Sequence, residues 1–219
     1  MPRPTRAATA APALAKFSRP RLYNVLKRER LFDELDAARA HPVVWIAGPP
    51  GAGKSTVGRL IARGWPLAIH MHTDDFYAWI VSGYIPPWTP ESRHQNTVVM
   101  EAIAGTAARY SRGGYDVVVD GIVGPWFLDP WWDLGLPVHY VVLRPSLEAA
   151  EHRARTRGEH ALKDLSVVAT MHAAFGDLGP LEGHVIESTA MSPDETAAEV
   201  RRRITEGSLI LRRGDDVSG

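Results

Sequence analysis

Apolar positions along the chain fall into short unbroken runs and longer stretches with helical spacing, and the two kinds alternate. The runs at 43–47, 67–72, 115–119, 138–143 and 184–186 read as strands. Before the first of them, Leu31, Phe32, Leu35 and Ala38 recur at helical spacing within 25–40, and Pro42 ends that stretch. Val57, Leu60 and Ile61 mark one face of a helix that stops at Gly64. Pro86, Pro87 and Pro90 break the chain, and Thr89-Pro90-Glu91 then supplies a cap, a proline and an early acid for a helix reaching about Ser111. Ser146 caps an arginine-rich helix, a further helix covers about 165–175, and Ser192-Pro193-Asp194-Glu195 is a capping box opening the last one. Strands alternating with helices predict an α/β fold, a parallel sheet covered on both faces, with ligands bound beyond the carboxyl ends of its strands.

The first strand leads into Gly48-Pro49-Pro50-Gly51-Ala52-Gly53-Lys54-Ser55-Thr56, a complete G-x-x-x-x-G-K-[ST] phosphate loop (Walker A). Its glycines let the backbone curl so that several N–H groups face an anion, and the helix that follows adds its positive end. Lys54 reaches the β- and γ-phosphates, and Ser55 can ligate Mg²⁺. Strand, loop and helix stand in the order the motif requires, so ATP and Mg²⁺ are the expected cofactors.

Charge narrows the range of partners. The chain has 25 basic and 25 acidic residues and no cysteine, which excludes disulfides and thiolate metal sites. Residues 1–30 carry eight Lys/Arg against Glu29, leaving 17 basic and 24 acidic residues for the remainder. A body of that sign lacks the basic face that a nucleic-acid binder needs. No apolar run approaches the roughly 20 residues of a membrane span, and no apolar leader for secretion is present; the expected compartment is the cytoplasm. The expected organisation is a disordered Ala/Pro/Arg tail over 1–15, a helical extension over 16–41, one domain over 42–206 and a frayed end over 207–219.

Phosphoryl transfer to a hydroxyl also needs a group that orients the acceptor and positive charge on the moving phosphoryl. Asp120 ends the run Val117-Val118-Val119, the usual form of the acid that holds Mg²⁺, often through water. Asp74 follows the second strand and is the better candidate for the base; Asp75, Tyr77 and Trp126 are candidate acceptor contacts. Arg144 ends the fourth strand, where it is expected to meet the nucleotide. Arg153 and Arg157, four apart on one helix face, are expected to close over the phosphates as a lid. His70, His72, Asp74 and Asp75 can also be read as a metal cluster, but acceptor binding explains the same loop and no further His-rich spacing supports a metal. Phe76, Tyr77, Trp79, Tyr84 and Trp88 follow the first acid, and Trp126, Phe127, Trp131 and Trp132 the second. They suit either short core helices or a ring-containing acceptor that stacks.

With these residues in view, the body resembles P-loop small-molecule kinases, in particular the chloramphenicol phosphotransferase and zeta-toxin-like AAA family ATPases. The matching pieces are the phosphate loop, Thr73-Asp74-Asp75-Phe76-Tyr77, Val119-Asp120-Gly121, Leu143-Arg144-Pro145, the arginines from Arg153 to Arg157, and His184-Val185-Ile186-Glu187-Ser188-Thr189, over about residues 43–205. The resemblance implies the three-layer P-loop NTPase fold with a five-stranded parallel sheet of order 2-3-1-4-5, and an acid at Asp74 acting as base toward an acceptor hydroxyl. The tryptophan-rich segments depart from the antibiotic enzyme, so a different small-molecule acceptor is expected. Residues 16–56 are similar to the start of large signal-transduction ATPases of the maltose-activator type. That similarity keeps an ATP-dependent switch module without a small-molecule acceptor as the alternative function.

Overall fold

The structure, a computed structural model, describes residues 41–132, 134–156 and 164–212. The expected tail, nearly all of the helical extension and Arg157 lie outside the described residues.

Strands β1 (Val43–Ala47), β2 (Ala68–His72), β3 (Asp116–Asp120), β4 (Val138–Leu143) and β5 (Val185–Ile186) form one parallel sheet of order β2-β3-β1-β4-β5. This is the P-loop NTPase order implied by the resemblance. Every residue of β1 and β4 is buried, which is why β1 reads as an unbroken apolar run and β4 as one interrupted only by His139, rather than as alternating patterns. Helices α1 (Lys54–Ala62), α2 (Thr73–Ala78), α3 (Arg93–Arg112), α4 (Asp129–Trp132), α5 (Leu147–Thr156), α6 (Leu165–Ala174) and α7 (Pro193–Thr205) lie between and after the strands.

The alternation of side chains along the strands gives two cores. Val43, Trp45, Val117, Val119, Tyr140 and Val142 pack against Met100, Ile103 and Ala107 of α3. Val44, Ile46, Val118 and Val141 face the other way, onto Val57 and Ile61 of α1 and Ala197 and Val200 of α7. Parity assigns Asp120 to this second face, where it pairs in register with Ile46 and with His72. The site is thereby centred on the α1 side of the sheet, at the carboxyl ends of β1, β2 and β3.

Several local expectations change. Thr73-Asp74-Asp75 opens α2 instead of ending a strand as a loop; two acids in a first turn favour a helix start. Thr89 makes no cap hydrogen bond, and Pro90–Ser92 is a 3₁₀ turn before α3 begins at Arg93. Ser92 takes over the local bonding, donating to the Pro87 and Thr89 carbonyls at 3.0 and 2.7 Å. The capping box at Ser192 forms in full. The frayed end fails over 208–211. Leu209 is fully buried, its carbonyl accepts from Tyr140 N at 2.9 Å, and Leu211 N donates to Val138 O at 2.9 Å. Together with the His139–Ile210 bridge, this tail lies antiparallel along the start of β4, below the point where β5 begins.

The α1–sheet–α7 core supplies a stability test. Ile61 is fully buried among Val118, Val57 and Val200. Ile61→Ala is expected to cost about 2–5 kcal/mol and Ile61→Val about 1 kcal/mol, read from urea unfolding midpoints.

Candidate active site

The loop between β1 and α1 has the shape its sequence demands. Gly51 has φ +79°, and a Cβ there would run into the backbone of Ala150 in α5. Gly53 has φ +85° and caps α1, whose first intrahelical bond runs from Val57 N to Gly53 O at 3.0 Å. Only glycine meets the first condition, and it meets the second without strain. Gly48, Pro49, Pro50, Gly51 and Ala52 are buried; Gly53 and Ser55 are partly exposed and Thr56 is exposed. Lys54 is buried and its Nζ donates to Pro49 O at 2.9 Å, so the ammonium lies across the loop rather than out in solvent.

Asp120 gathers the centre of the site. Its Oδ1 accepts from Ser55 Oγ at 2.8 Å, while its Oδ2 lies 2.5 Å from His70 Nε2 and 2.8 Å from His72 Nδ1. Burial alone would raise its pKa. The hydrogen bond from His70, the charges of His72 and His70 and the bond from Ser55 outweigh burial and hold the carboxyl below its ordinary range. An ionised carboxylate with a serine hydroxyl against it is an oxygen donor pair that fits Mg²⁺, so the expected metal residues Ser55 and Asp120 are brought together. The grouping of His70 and His72 with Asp74 and Asp75, disfavoured by the sequence, is not the one the fold makes; among the described residues the two histidines gather with Asp120, the donor atoms all within 4.8 Å of one another. Sequence parity puts His70 and His72 on one strand face; the β2–β3 register that sets Asp120 opposite them has no sequence signal.

Asp74 and Asp75 are exposed on the first turn of α2. Tyr77, one turn on, donates to Asn96 Oδ1 at 3.0 Å, and its phenol is pushed up to about 12 by burial, then by the charges of Asp74 and Tyr84. It remains a neutral donor at ordinary pH. Asn96 in turn donates to Pro87 O at 2.8 Å and Ser92 Oγ at 2.9 Å, and Gln95 clasps both the N–H and the carbonyl of Ile85. These residues of α3 hold the 85–92 segment in place; sequence reading passed over them because an amide facing a loop carries no pattern.

The aromatic segments divide. Trp131 is buried and meets Trp45 edge-on at 4.1 Å, and Phe76 is buried, so both belong to the core. Trp79, Tyr84, Trp88 and Trp126 are exposed, Trp126 by 56 %. Trp126 forms part of the wall of a cavity of about 440 Å³ with Arg93, Thr97, Met100, Glu101 and Asp129. On the other side, a cavity of about 320 Å³ lies against the phosphate loop, between Gly51, Gly53 and Thr56 and the side chains of Arg153, Met191 and Pro193.

Arg153 is thus on a wall shared with the loop; its Nη2 also donates to the Ser188 and Thr189 carbonyls, both at 3.3 Å. Arg144 is occupied elsewhere. Its guanidinium binds Glu187 at 2.7 Å and Glu182 at 2.9 and 3.0 Å, and donates to the carbonyls of Phe175 and Gly176. Arg144 thus ties the end of β4 to the segments on either side of β5, bonds with which the expected nucleotide contact would compete.

The AAA domain family AAA_18 matches residues 44–170. No curated protein sequence matches the chain. Among solved structures, the tunicamycin resistance protein of Deinococcus radiodurans is 16 % identical with a TM-score of 0.57, covering 79 % of this chain and 99 % of that one. A sugar kinase of Janibacter sp. HTCC2649 is 21 % identical with a TM-score of 0.57, covering 78 % and 95 %. A gluconokinase of Sinorhizobium meliloti 1021 is 23 % identical with a TM-score of 0.54, covering 77 % and 91 %. At these identities the likeness is one of fold. Among the described residues no helix is long and apolar enough to cross a membrane.

The tie at Arg144 is testable. Arg144→Gln is expected to lower stability by about 1 kcal/mol, the scale of a partly exposed ion-pair network, and to leave nucleotide affinity unchanged in a calorimetric titration. A loss of affinity with stability intact would return Arg144 to the nucleotide.

Proposed function

The chain belongs to the AAA_18 family of AAA domains, and from that premise we propose that it is an ATP-dependent phosphotransferase that moves the γ-phosphoryl group to a hydroxyl of a small molecule. The observation that carries this reading is the phosphate loop with its Ser55–Asp120 pair and a cavity against the loop; a second, aromatic-walled cavity lies between α3 and the 126–130 segment. Two compartments suit two substrates, and a sugar kinase and a gluconokinase share the fold. A switch module would need only the first.

The residues divide the work. The backbone of Gly48, Pro49, Pro50, Gly51, Ala52 and Gly53, with Thr56, cradles the phosphates, and Lys54 supplies positive charge at the β- and γ-positions. The cavity bounded by Arg153 and Met191 takes the nucleoside, and Arg153 orients it from the wall. Ser55 and Asp120 would hold Mg²⁺, which when bound neutralises charge on the phosphate oxygens. The acceptor enters from the side of Asp74, with Asp75, Tyr77 and Trp126 as its contacts and the 440 Å³ cavity as its bed. In the transfer, the acceptor oxygen bonds to the γ-phosphorus, the bond from that phosphorus to the β–γ bridging oxygen breaks, ADP leaves, and the hydroxyl proton passes to the Asp74 carboxylate. An acid on an exposed first turn is accessible to a bound hydroxyl, and its charge is already felt by Tyr77. The exposed Trp126 and the mixed charges of Arg93, Glu101 and Asp129 favour a polar acceptor carrying a ring or other flat apolar face.

A phosphate-transfer screen with ATP and Mg²⁺ over sugars, nucleosides and hydroxylated antibiotics tests the reading. Lys54→Ala should abolish transfer and weaken ATP binding, and near wild-type turnover in that variant would sink the proposal. With the acceptor in hand, Asp74→Asn should keep ATP binding and lose about 10²–10⁴-fold in kcat, the size of a general-base contribution. A retained rate in Asp74→Asn would remove that residue from the chemistry.

A further inference from the structure

The donors around Asp120 are more than an Mg²⁺ site requires. Mg²⁺ takes an octahedron of oxygens and keeps much of its water, and Ser55, Asp120 and phosphate oxygens already satisfy that preference. Here two imidazoles also converge, from alternate positions of β2, on one carboxylate oxygen. His70 Nε2 is 2.5 Å and His72 Nδ1 2.8 Å from Asp120 Oδ2, and the two rings stack at 4.3 Å with a 59° tilt. The His70 side chain is 12 % exposed and that of Asp120 5 %, so most of this cluster is withdrawn from water. His72, at 31 %, forms the open side.

The surroundings are built to keep this arrangement. Gly58 sits inside α1, where glycine costs about 0.5–1 kcal/mol relative to alanine. A Cβ at that position would stand 2.7 Å from His70 Nε2. The glycine therefore leaves room for the ring that brings a nitrogen to Asp120. On the far side of the carboxylate, Ser55 Oγ donates to Oδ1. A hydrogen bond to the second oxygen of a ligating carboxylate fixes its orientation, as outer-shell partners of metal sites do.

We infer that His70, His72 and Asp120 form a binding site for a divalent transition metal of the Mn²⁺ to Zn²⁺ series, with two imidazole nitrogens and one carboxylate oxygen as its protein ligands. Neutral imidazole suits Zn, Cu, Fe and Ni, and nitrogen–oxygen sites follow the Irving–Williams order, whereas Mg²⁺ gains nothing from nitrogen donors. Three protein ligands leave further positions open on the side of Ser55 and the phosphate loop. The site thus holds its metal before any nucleotide arrives, in contrast to a cation that enters only as a nucleotide complex. The inference does not depend on the transfer reaction, because the ligands are complete without a phosphate or an acceptor.

The test uses the full, untagged chain after chelator treatment and dialysis, with no nucleotide present. Co²⁺ is the probe, followed by its visible absorption and by calorimetry. One equivalent is expected to bind at least about 10⁴-fold more tightly than Mg²⁺, so that a hundredfold excess of Mg²⁺ is expected not to displace it. His70→Gln and His72→Asn set an amide N–H near the places of His70 Nε2 and His72 Nδ1 but remove the imidazole ligand, and each is expected to weaken Co²⁺ by more than about tenfold. Should either variant fold poorly by circular dichroism, X-ray absorption of the wild-type Zn²⁺ or Co²⁺ protein decides, since outer-shell scattering counts imidazoles and two are expected. Displacement by Mg²⁺, unchanged Co²⁺ affinity in folded variants, or a coordination shell without imidazole would overturn the inference.

Discussion

The carboxylate of Asp120 is the point on which the site is assembled. It stands at the end of β3, is 4 % exposed, and bonds to the first turn of α1 through Ser55 and to β2 through His70 and His72. A buried carboxylate left without partners would be costly, and its charge would be lost to protonation. Surrounded in this way it stays ionised and joins three elements that are adjacent only through the sheet. The register makes this possible: His72, Asp120 and Ile46 stand side by side across β2, β3 and β1. Slipping β2 or β3 by one residue would turn the histidines or Asp120 to the opposite face, against α3.

That dependence on register explains what was legible in the sequence and what was not. The fully buried strands β1 and β4 were visible because burial on both faces leaves a nearly continuous apolar run, broken only by His139 in β4. The phosphate loop was visible because its glycines are required locally, by φ and by the approach of α5 at Gly51. The capping box at Ser192 is likewise a contact within four residues. Some of what escaped is local, such as the 3₁₀ turn at Pro90–Ser92, but most of it is long-range. Glu182 and Glu187 lie far along the chain from Arg144, and nothing around an arginine at a strand end says whether it will find carboxylates or a phosphate. The end from Gly207 was expected to fray, yet Leu209 packs into the α1–α7 core. Burial there outweighs a local stop signal.

The aromatic residues illustrate the same division within a single segment. Trp131 and Trp126 are five positions apart, one against Trp45 in the core and the other on a cavity wall. Composition could say that rings surround the region after β3. Only the path of the Pro125–Phe127 turn and of α4 decides which of them is structural. The rings that remain exposed, Trp79, Tyr84, Trp88 and Trp126, belong to the two connections that follow β2 and β3.

Those connections are pinned to the chemistry at a single close approach. Gly121 follows Asp120, its N–H donates to Ile46 O at 3.2 Å, and a Cβ there would collide with the Thr73 side chain at the start of α2. The backbone after β3 is thus pressed between the end of β1 and the helix that carries Asp74 and Asp75. Beyond Gly121 and Ala78 the chain is free of this constraint and runs through turns and short helices, held by side-chain amides such as Gln95 and Asn96 rather than by the sheet. The phosphate loop therefore sits where backbone geometry leaves no latitude, and the acceptor contacts proposed above sit where it does. On that proposal, changes within 79–92 and 122–132 would alter the acceptor while Lys54, Ser55, Asp74 and Asp120 keep their places. Loops on a rigid scaffold generally divide specificity from chemistry in this manner.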